Sequence, residues 1–296
     1  MGGWSSEREI SIKSGTAVVS TLQKMGYDAV AIDLKDAAAS RKTIEEAKIQ
    51  IVFIALHGPF GESGQVQQLL EEIGIPYTGS GVLASQTAMD KVTCRGVLTR
   101  AGVQMPEGVI LKLEAGNWTS QIPFPPPWII KPSQEGSSFG VSIVDQEEDL
   151  IPALTAATHY SSCVILEKYI SGIEITVGIL QDRPLPVIEI VPKNRFYDYD
   201  SKYGGGTQYL IPPRLPQGQI TEAQEIALKV HRLLGCRNFS RVDMIAENGV
   251  RVDVLEINTV PGLTDKSLLP KAAQAAGISF EELCVKILES ALERPH

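Results

Sequence analysis

Residues Arg241 to Asn258 read RVDMIAENGVRVDVLEIN, two alternating apolar segments joined at Glu247-Asn248-Gly249. An Asn-Gly turn between such segments predicts a β-hairpin. The hairpin carries Arg241-Val242-Asp243 and Glu256-Ile257-Asn258 to neighbouring strand ends at one edge of a sheet. Side chains repeat every second residue along a strand, so Glu256 and Asn258 share a face. Asp243, Glu256 and Asn258 are all oxygen donors, and hard ligands of this kind suit Mg²⁺ carried on a nucleotide's phosphates. The same three residues read equally as an ordinary polar strand pair.

Upstream of the hairpin, a helix is expected around Ala84 to Ala101. A polar, proline-rich link follows from Glu114 to Pro127, then an apolar strand, Trp128 to Ile130. That strand runs through Lys131-Pro132 into SQEGSSFG, Ser133 to Gly140. A Gly/Ser loop between strands exposes backbone N–H groups and lets a phosphate come close, with the entering lysine as a cation. The alternative is a flexible hairpin turn, and the spacing is not that of a P-loop. A strand at Val164 to Glu167 ends in Glu167-Lys168, and Glu174 follows after Ser171-Gly172. These groups fit either a solvated surface or the ribose and adenine of a nucleotide.

The first 80 residues alternate helix and strand signals in the manner of an α/β unit. Ser6 and Glu9 have capping-box spacing, Ile10, Ala17, Val18, Leu22 and Met25 recur with helical period, and Gly26 supplies a stop. Asp28 to Leu34 reads as a strand. Ile49 to Leu56 is a continuous apolar run of the kind that forms a parallel strand covered on both faces. It ends at His57-Gly58, where ligands bind in open α/β sheets. A helix from Gln65 to Ile73 and the turn at Tyr77 to Gly81 complete the unit. The glycine loop Gly2-Gly3 normally follows a strand, so the sheet is expected either to be one strand short or to have been trimmed at its start.

Composition narrows the function. The chain has 296 residues, 27 Lys+Arg against 35 Asp+Glu and a net charge of −8, with 43% hydrophobic and 21% charged residues. Without a basic stripe, nucleic acid is excluded as a partner. No run approaches the roughly 20 apolar residues of a membrane span, and no basic-then-apolar leader opens the chain, so a cytoplasmic protein without membrane contact is expected. Cys94, Cys163, Cys236 and Cys284 stand singly and the histidines are dispersed, which argues against disulfides and zinc. Length alone suggests about two domains.

Taken together, GGWSSEREIS, ALHGPFGESG, PYTGSGVLAS, MDK, IIKPSQEGSSFGVS, EKYISGIE, FYDYDSKY, SRVDM and EINTVPGLTDKSLLPKAA resemble the D-alanine:D-alanine ligases of the ATP-grasp superfamily over nearly the whole chain. The resemblance implies a three-domain α/β fold with ATP held between the second and third domains. The expected divisions are an N-terminal doubly wound, Rossmann-like substrate domain at 1–80 that lacks its first strand, a central ATP-grasp subdomain at 81–166, and a C-terminal subdomain at 167–296.

The resemblance also implies roles. Lys91 and Lys131 match the pair that reaches the ATP phosphates. Lys168, with the backbone beside Ile170, matches the adenine contact, and Glu167 and Glu174 match residues around adenine and ribose. Lys202 lies over the γ-phosphate, and Asp243, Glu256 and Asn258 match the ligands of two Mg²⁺ (or Mn²⁺) ions. Glu7, with Ser137 and Tyr203, matches the triad on the first D-alanine's ammonium, and His57 lines that subsite by direct contact or by loop support. Arg241 and the Gly262 N–H match the oxyanion donors. Ser267 and the Leu268 backbone match the clamp on the second carboxylate. The implied reaction joins two D-alanines with ATP through an acyl phosphate, for peptidoglycan precursors, in a homodimer. Tyr203 resembles ligases that make the dipeptide. Two alternatives remain at this level: another ATP-grasp carboxylate-amine ligase, such as the D-lactate type, and an inactive nucleotide-binding homologue.

Overall fold

The computed structural model describes residues 1–112, 121–134, 136, 140–192, 206–247 and 249–292. Two antiparallel sheets dominate. The smaller joins β1 (Gly108–Lys112), β2 (Trp128–Pro132), β3 (Ser142–Val144) and β4 (Cys163–Lys168) in the order β1-β4-β2-β3, with α7 (Leu150–Thr158) packed on one face. Its core includes Leu111, Ile130, Leu154 and Leu166, all buried.

The larger sheet has β5 (Ile173–Leu180) at its centre and β6 (Arg183–Pro184) paired to it. β7 (Ile188–Val191) and β8 (Gln208–Leu210) lie to one side, and β9 (Phe239–Glu247) and β10 (Arg251–Asn258) to the other. Both faces are covered, which suits the apolar run that closes β5, buried from Ile175 to Leu180. Helix α8 (Gln217–Leu233) packs on one face with Ala223, Ala227 and Val230. Helices α9 (Leu268–Ala275) and α10 (Phe280–Glu289) cover the other, where Val18 and Leu22 of α1 (Arg8–Lys24) join them.

The expected hairpin is present, with Glu256 opposite Asp243 and Asn258 opposite Arg241. A register shift between Val254 and Glu256 re-aims the acidic end of β10. In contrast, the single helix expected over Ala84 to Ala101 is two, α5 (Val82–Met89) and α6 (Lys91–Arg100). Asp90 breaks them because it is extended at φ −81° and ψ 99°, and its carboxylate accepts from the Thr93 N–H as the α6 cap.

In the N-terminal region, α1, α2 (Ala37–Glu46), α3 (Pro59–Glu62) and α4 (Gln65–Glu72) surround extended segments. The strands expected at Asp28–Leu34 and Ile49–Leu56 pair only as isolated parallel bridges, Gly2 with Leu34 and Val52 with Tyr77. Gly2 and Gly3 have φ of +94° and +85°, which turns the chain out of the sheet after one bridge. Val52 makes both bonds of its bridge, donating to the Pro76 carbonyl and accepting from the Thr78 N–H, but Pro76 has no N–H to extend the ladder backward, and the Ile54 N–H goes to the Thr78 hydroxyl instead of extending it forward. The capping box expected from Ser6 and Glu9 does not form. Helix α1 begins one residue after Glu7, and the Ser5 hydroxyl accepts from the Glu7 N–H instead.

Candidate functional site

The end of the β9–β10 hairpin, the start of α1, the loop at residues 57–62 and the loop at residues 259–268 enclose a cleft of about 1230 Å³. Glu7, His57, Lys91, Arg241, Glu256, Asn258, Gly262, Ser267 and Leu268 all line it, together with Glu62 and Gly136.

Lys91 opens α6, which packs on the larger sheet, and its ammonium lies 4.0 Å from Glu256 of β10. Lys131 on β2 is bonded at 2.5 Å to Glu167 of β4, and Arg95 reaches the other oxygen of Glu167 at 2.9 Å. Cross-strand pairing of Ile129 with Glu167 sets that geometry. Both oxygens of the buried Glu167 are committed to cations, so Glu167 holds Lys131 in place. Asp90 ties this corner together, accepting from the Gln134 side chain at 3.0 Å. Burial raises the Asp90 pKa, but bonds from Gln134 and from the Thr93 and Val92 N–H groups outweigh it and leave the carboxyl below its ordinary value. Cys94 beneath the cleft is pushed up to about 12 by burial and is no nucleophile.

On the large sheet, Arg241 grips Asp243 with two bonds, Nε to one oxygen at 2.9 Å and an Nη to the other at 2.7 Å. The Thr176 hydroxyl donates to Asp243 at 2.6 Å from the neighbouring strand. Asn258 accepts from the Val260 N–H and so shapes the start of the next loop. Among the described residues no three His, Cys, Asp or Glu side chains gather as a metal cluster. The donor set still has the chemistry for a hard divalent cation, since Asp243 and Glu256 sit opposite one another with Asn258 two pairs further along, on the same face as Glu256.

At the N-terminal wall, Glu7 is buried and its carboxylate closes on the Gly/Ser loop. A β-carbon built on Gly136 would stand 3.3 Å from Glu7 Oε2 and 3.9 Å from Glu62 Oε2. His57 lies between partners, with Nε2 3.1 Å from the Ser14 hydroxyl and Nδ1 3.4 Å from Glu62. Opposite, Gly262 packs against Ser267 so closely that a β-carbon would meet its hydroxyl oxygen at 2.7 Å. The Ser267 oxygen accepts from the Thr264 N–H, and Ser267 starts α9.

Other expected residues fall elsewhere. Lys168 is exposed at the end of β4, Ile170 is buried after it, and Glu174 lies on β5 between Ile190 and Ile245; none lines the large cleft. Ser137, Lys202 and Tyr203 lie outside the described residues. Ser14, Glu62, Arg95 and Thr176 were not expected from the sequence. Arg95 carried a signal, because it is four residues after Lys91 on one helix and so shares its face.

Residues 113–289 match the family model "D-ala D-ala ligase C-terminus" and residues 34–80 match "D-ala D-ala ligase N-terminus". A D-alanine–D-alanine ligase from Desulforudis audaxviator is 48% identical, covering 99% of this chain and 97% of that protein. Another from Trichlorobacter lovleyi is 47% identical, covering 98% and 93%. Two crystal structures of the Bacillus anthracis D-alanine–D-alanine ligase each cover 99% of this chain and 95% of their own. The one complexed with ATP has a TM-score of 0.86 at 37% identity, and the other 0.88 at 38%.

Proposed function

This chain belongs to the D-alanine–D-alanine ligase family, with the ATP-grasp fold, and from that premise we propose a mechanism for its cleft. The protein joins two D-alanines at the expense of ATP and releases ADP and phosphate. The observation that carries the reading is the single cleft that gathers an ammonium acceptor, Glu7, a phosphate-side cation, Lys91, and an oxyanion cation, Arg241.

A carboxylate is a poor electrophile. One oxygen of the first D-alanine therefore attacks the γ-phosphorus, the bond to the ADP oxygen breaks, and an acyl phosphate results. Lys91 and Lys131 neutralise charge on the phosphates, and Glu167 and Arg95 hold Lys131 on its strand. Asp243, Glu256 and Asn258 offer oxygen donors for two Mg²⁺ (or Mn²⁺) ions, which when bound offset charge on the β- and γ-phosphates. Glu7 accepts from the first ammonium, with Ser137 and Tyr203 as its partners. Lys168, Ile170 and Glu174 serve the adenine and ribose, and Lys202 covers the γ-phosphate.

The second D-alanine's amine, having lost a proton, attacks the acyl carbon while Ser267 and the Leu268 backbone hold its carboxylate. Charge develops on the carbonyl oxygen, where Arg241 and the Gly262 N–H donate to it, and the carbon–oxygen bond to phosphate then breaks. The family resemblance further supports a homodimer, a cytoplasmic setting and a part in peptidoglycan synthesis. Among the described residues no helix is long and apolar enough to cross a membrane. The test is phosphate release from ATP that depends on D-alanine, with D-lactate as competitor near neutral pH. Dipeptide as the main product is expected. Release that ignores D-alanine, or mostly depsipeptide, sinks the assignment.

A further inference from the structure

We infer that Ser14 is a positioning residue that joins His57 to the backbone beside the oxyanion site, an inference that rests on the ligase reading above. Ser14 is fully buried on the core-facing side of α1, where an amphipathic helix ordinarily places an apolar residue. Its oxygen accepts from the Leu263 N–H at 3.3 Å and stands 3.1 Å from His57 Nε2. A carboxylate only accepts, so His57 Nδ1, facing Glu62, carries the ring proton. In the neutral ring Nε2 is then an acceptor, and the Ser14 hydroxyl donates to it. One directed chain runs from the Leu263 N–H through Ser14 and His57 to Glu62.

Ser14, His57 and Glu62 are 0%, 5% and 9% exposed, so an unpaired group in this chain has little water to turn to. Both ring nitrogens of His57 face protein partners, which fixes the ring rather than leaving it to follow a ligand. The two ends of the chain matter for the reaction. Ser14 lies about two turns after Glu7 along α1, by helical geometry. Leu263 directly follows Gly262. Ser14 thus links the helix that presents the first substrate's ammonium acceptor to the loop that receives the oxyanion. Removing its hydroxyl leaves the Leu263 N–H and His57 Nε2 without their partner and lets loop and ring shift separately.

Ser14→Ala tests this, with Ser14→Cys, closer in volume, as the second variant should the first fail to fold. The expected result is a fall in kcat of at least about ten-fold, since small misplacements at a reacting centre cost rates of that order. The ATP KM should stay within about two-fold of wild type, because the phosphate contacts lie on other elements. Ser14→Ala combined with His57→Gln should lose no more than the worse single variant, within about three-fold, as residues of one network do. Nitrogen-15 spectra read the ring without turnover. The His57 signal, identified by its loss in His57→Gln, should move in Ser14→Ala while those of His159 and His231 stay. Unchanged kcat, an ATP KM that rises in step with the loss of kcat, multiplying losses in the double variant, or an unmoved His57 signal would overturn the inference. Wild-type protein with no D-alanine-dependent turnover sinks the ligase reading instead, and the spectra still decide the hydrogen-bond chain.

Discussion

The six-stranded sheet and the N-terminal region face the same cleft, and they hold their side chains by different means. In the sheet, β5 and β9 pair over eight consecutive residues, and that register puts Thr176 opposite Asp243 and Gly178 opposite Arg241. The N-terminal region pairs at two isolated bridges only. Its polar groups are held by side chains: Arg8 bonds Asp33 and the Gly3 carbonyl, Ser11 bonds the Ala55 carbonyl, and Ser14 bonds His57. Where a ladder is long, the backbone places the site residue. Where it is short, buried hydroxyls and a guanidinium do.

Arg241→Ala should break this comparison most visibly. Loss of an oxyanion donor predicts a fall in kcat of roughly 10²–10³-fold. Asp243 would keep Thr176 but lose its buried counter-charge, and unfolding stability should drop by about 3 kcal/mol. Steady-state kinetics and denaturant titration measure the two losses, and unchanged stability would show that the ladder holds Asp243 without its partner. Next in size are matched core truncations, Ile175→Ala in β5 and Leu70→Ala in α4, each expected to cost about 2–5 kcal/mol. Hydrogen exchange should distinguish them. Leu70→Ala should speed exchange mainly within residues 1–80, whereas Ile175→Ala should lower protection across the larger sheet, and identical patterns would erase the distinction between the regions.

The smallest effect is a pH dependence on the sheet side. His231 of α8 is fully buried against Ser240, and burial lowers its pKa to about 4 despite the attraction of Asp182, with Arg232 adding to the fall. Nε2 lies 3.5 Å from Asp182 with no hydrogen bond formed, so the contact is a weak one. The unfolded chain binds the proton from about pH 6.5 downward while the folded chain resists until about pH 4. The His231 contribution to stability is therefore full above pH 6.5 and falls by roughly 2–3 kcal/mol as pH drops to 4. Denaturant midpoints across that range should show the loss, and His231→Asn should flatten it.

Much of the sheet side was legible because its signals are local. The Asn248-Gly249 turn and the alternation on either side fix which residues oppose each other, so Asp243 and Glu256 could be paired from the sequence. The N-terminal strands misled because an apolar run such as Ile49–Leu56 reports burial on both faces, not a partner able to complete a ladder. Pro76 and the Gly2-Gly3 turn, which deny that partner, are distant in sequence or read as loop. Ser14 and Glu62 were missed for a related reason. A buried hydroxyl on an apolar helix face declares that something must satisfy it, but its partners His57 and Leu263 lie 43 and 249 residues away. The break at Asp90 is the reverse case: Asp followed three residues later by Thr is a local cap signal within a segment read as one helix.

That break sets a ruler. Helices α5 and α6 rest on the core of the larger sheet, whereas Lys131 belongs to the smaller one. Yet the Lys91 N–H donates to the Ser133 carbonyl at 2.9 Å, and Gln134 of the same turn donates to Asp90. Lys91 and Lys131 are therefore separated by one hydrogen bond and a few peptide units, not by the angle between the sheets. A movement of one sheet against the other carries the two cations together for as long as those bonds hold.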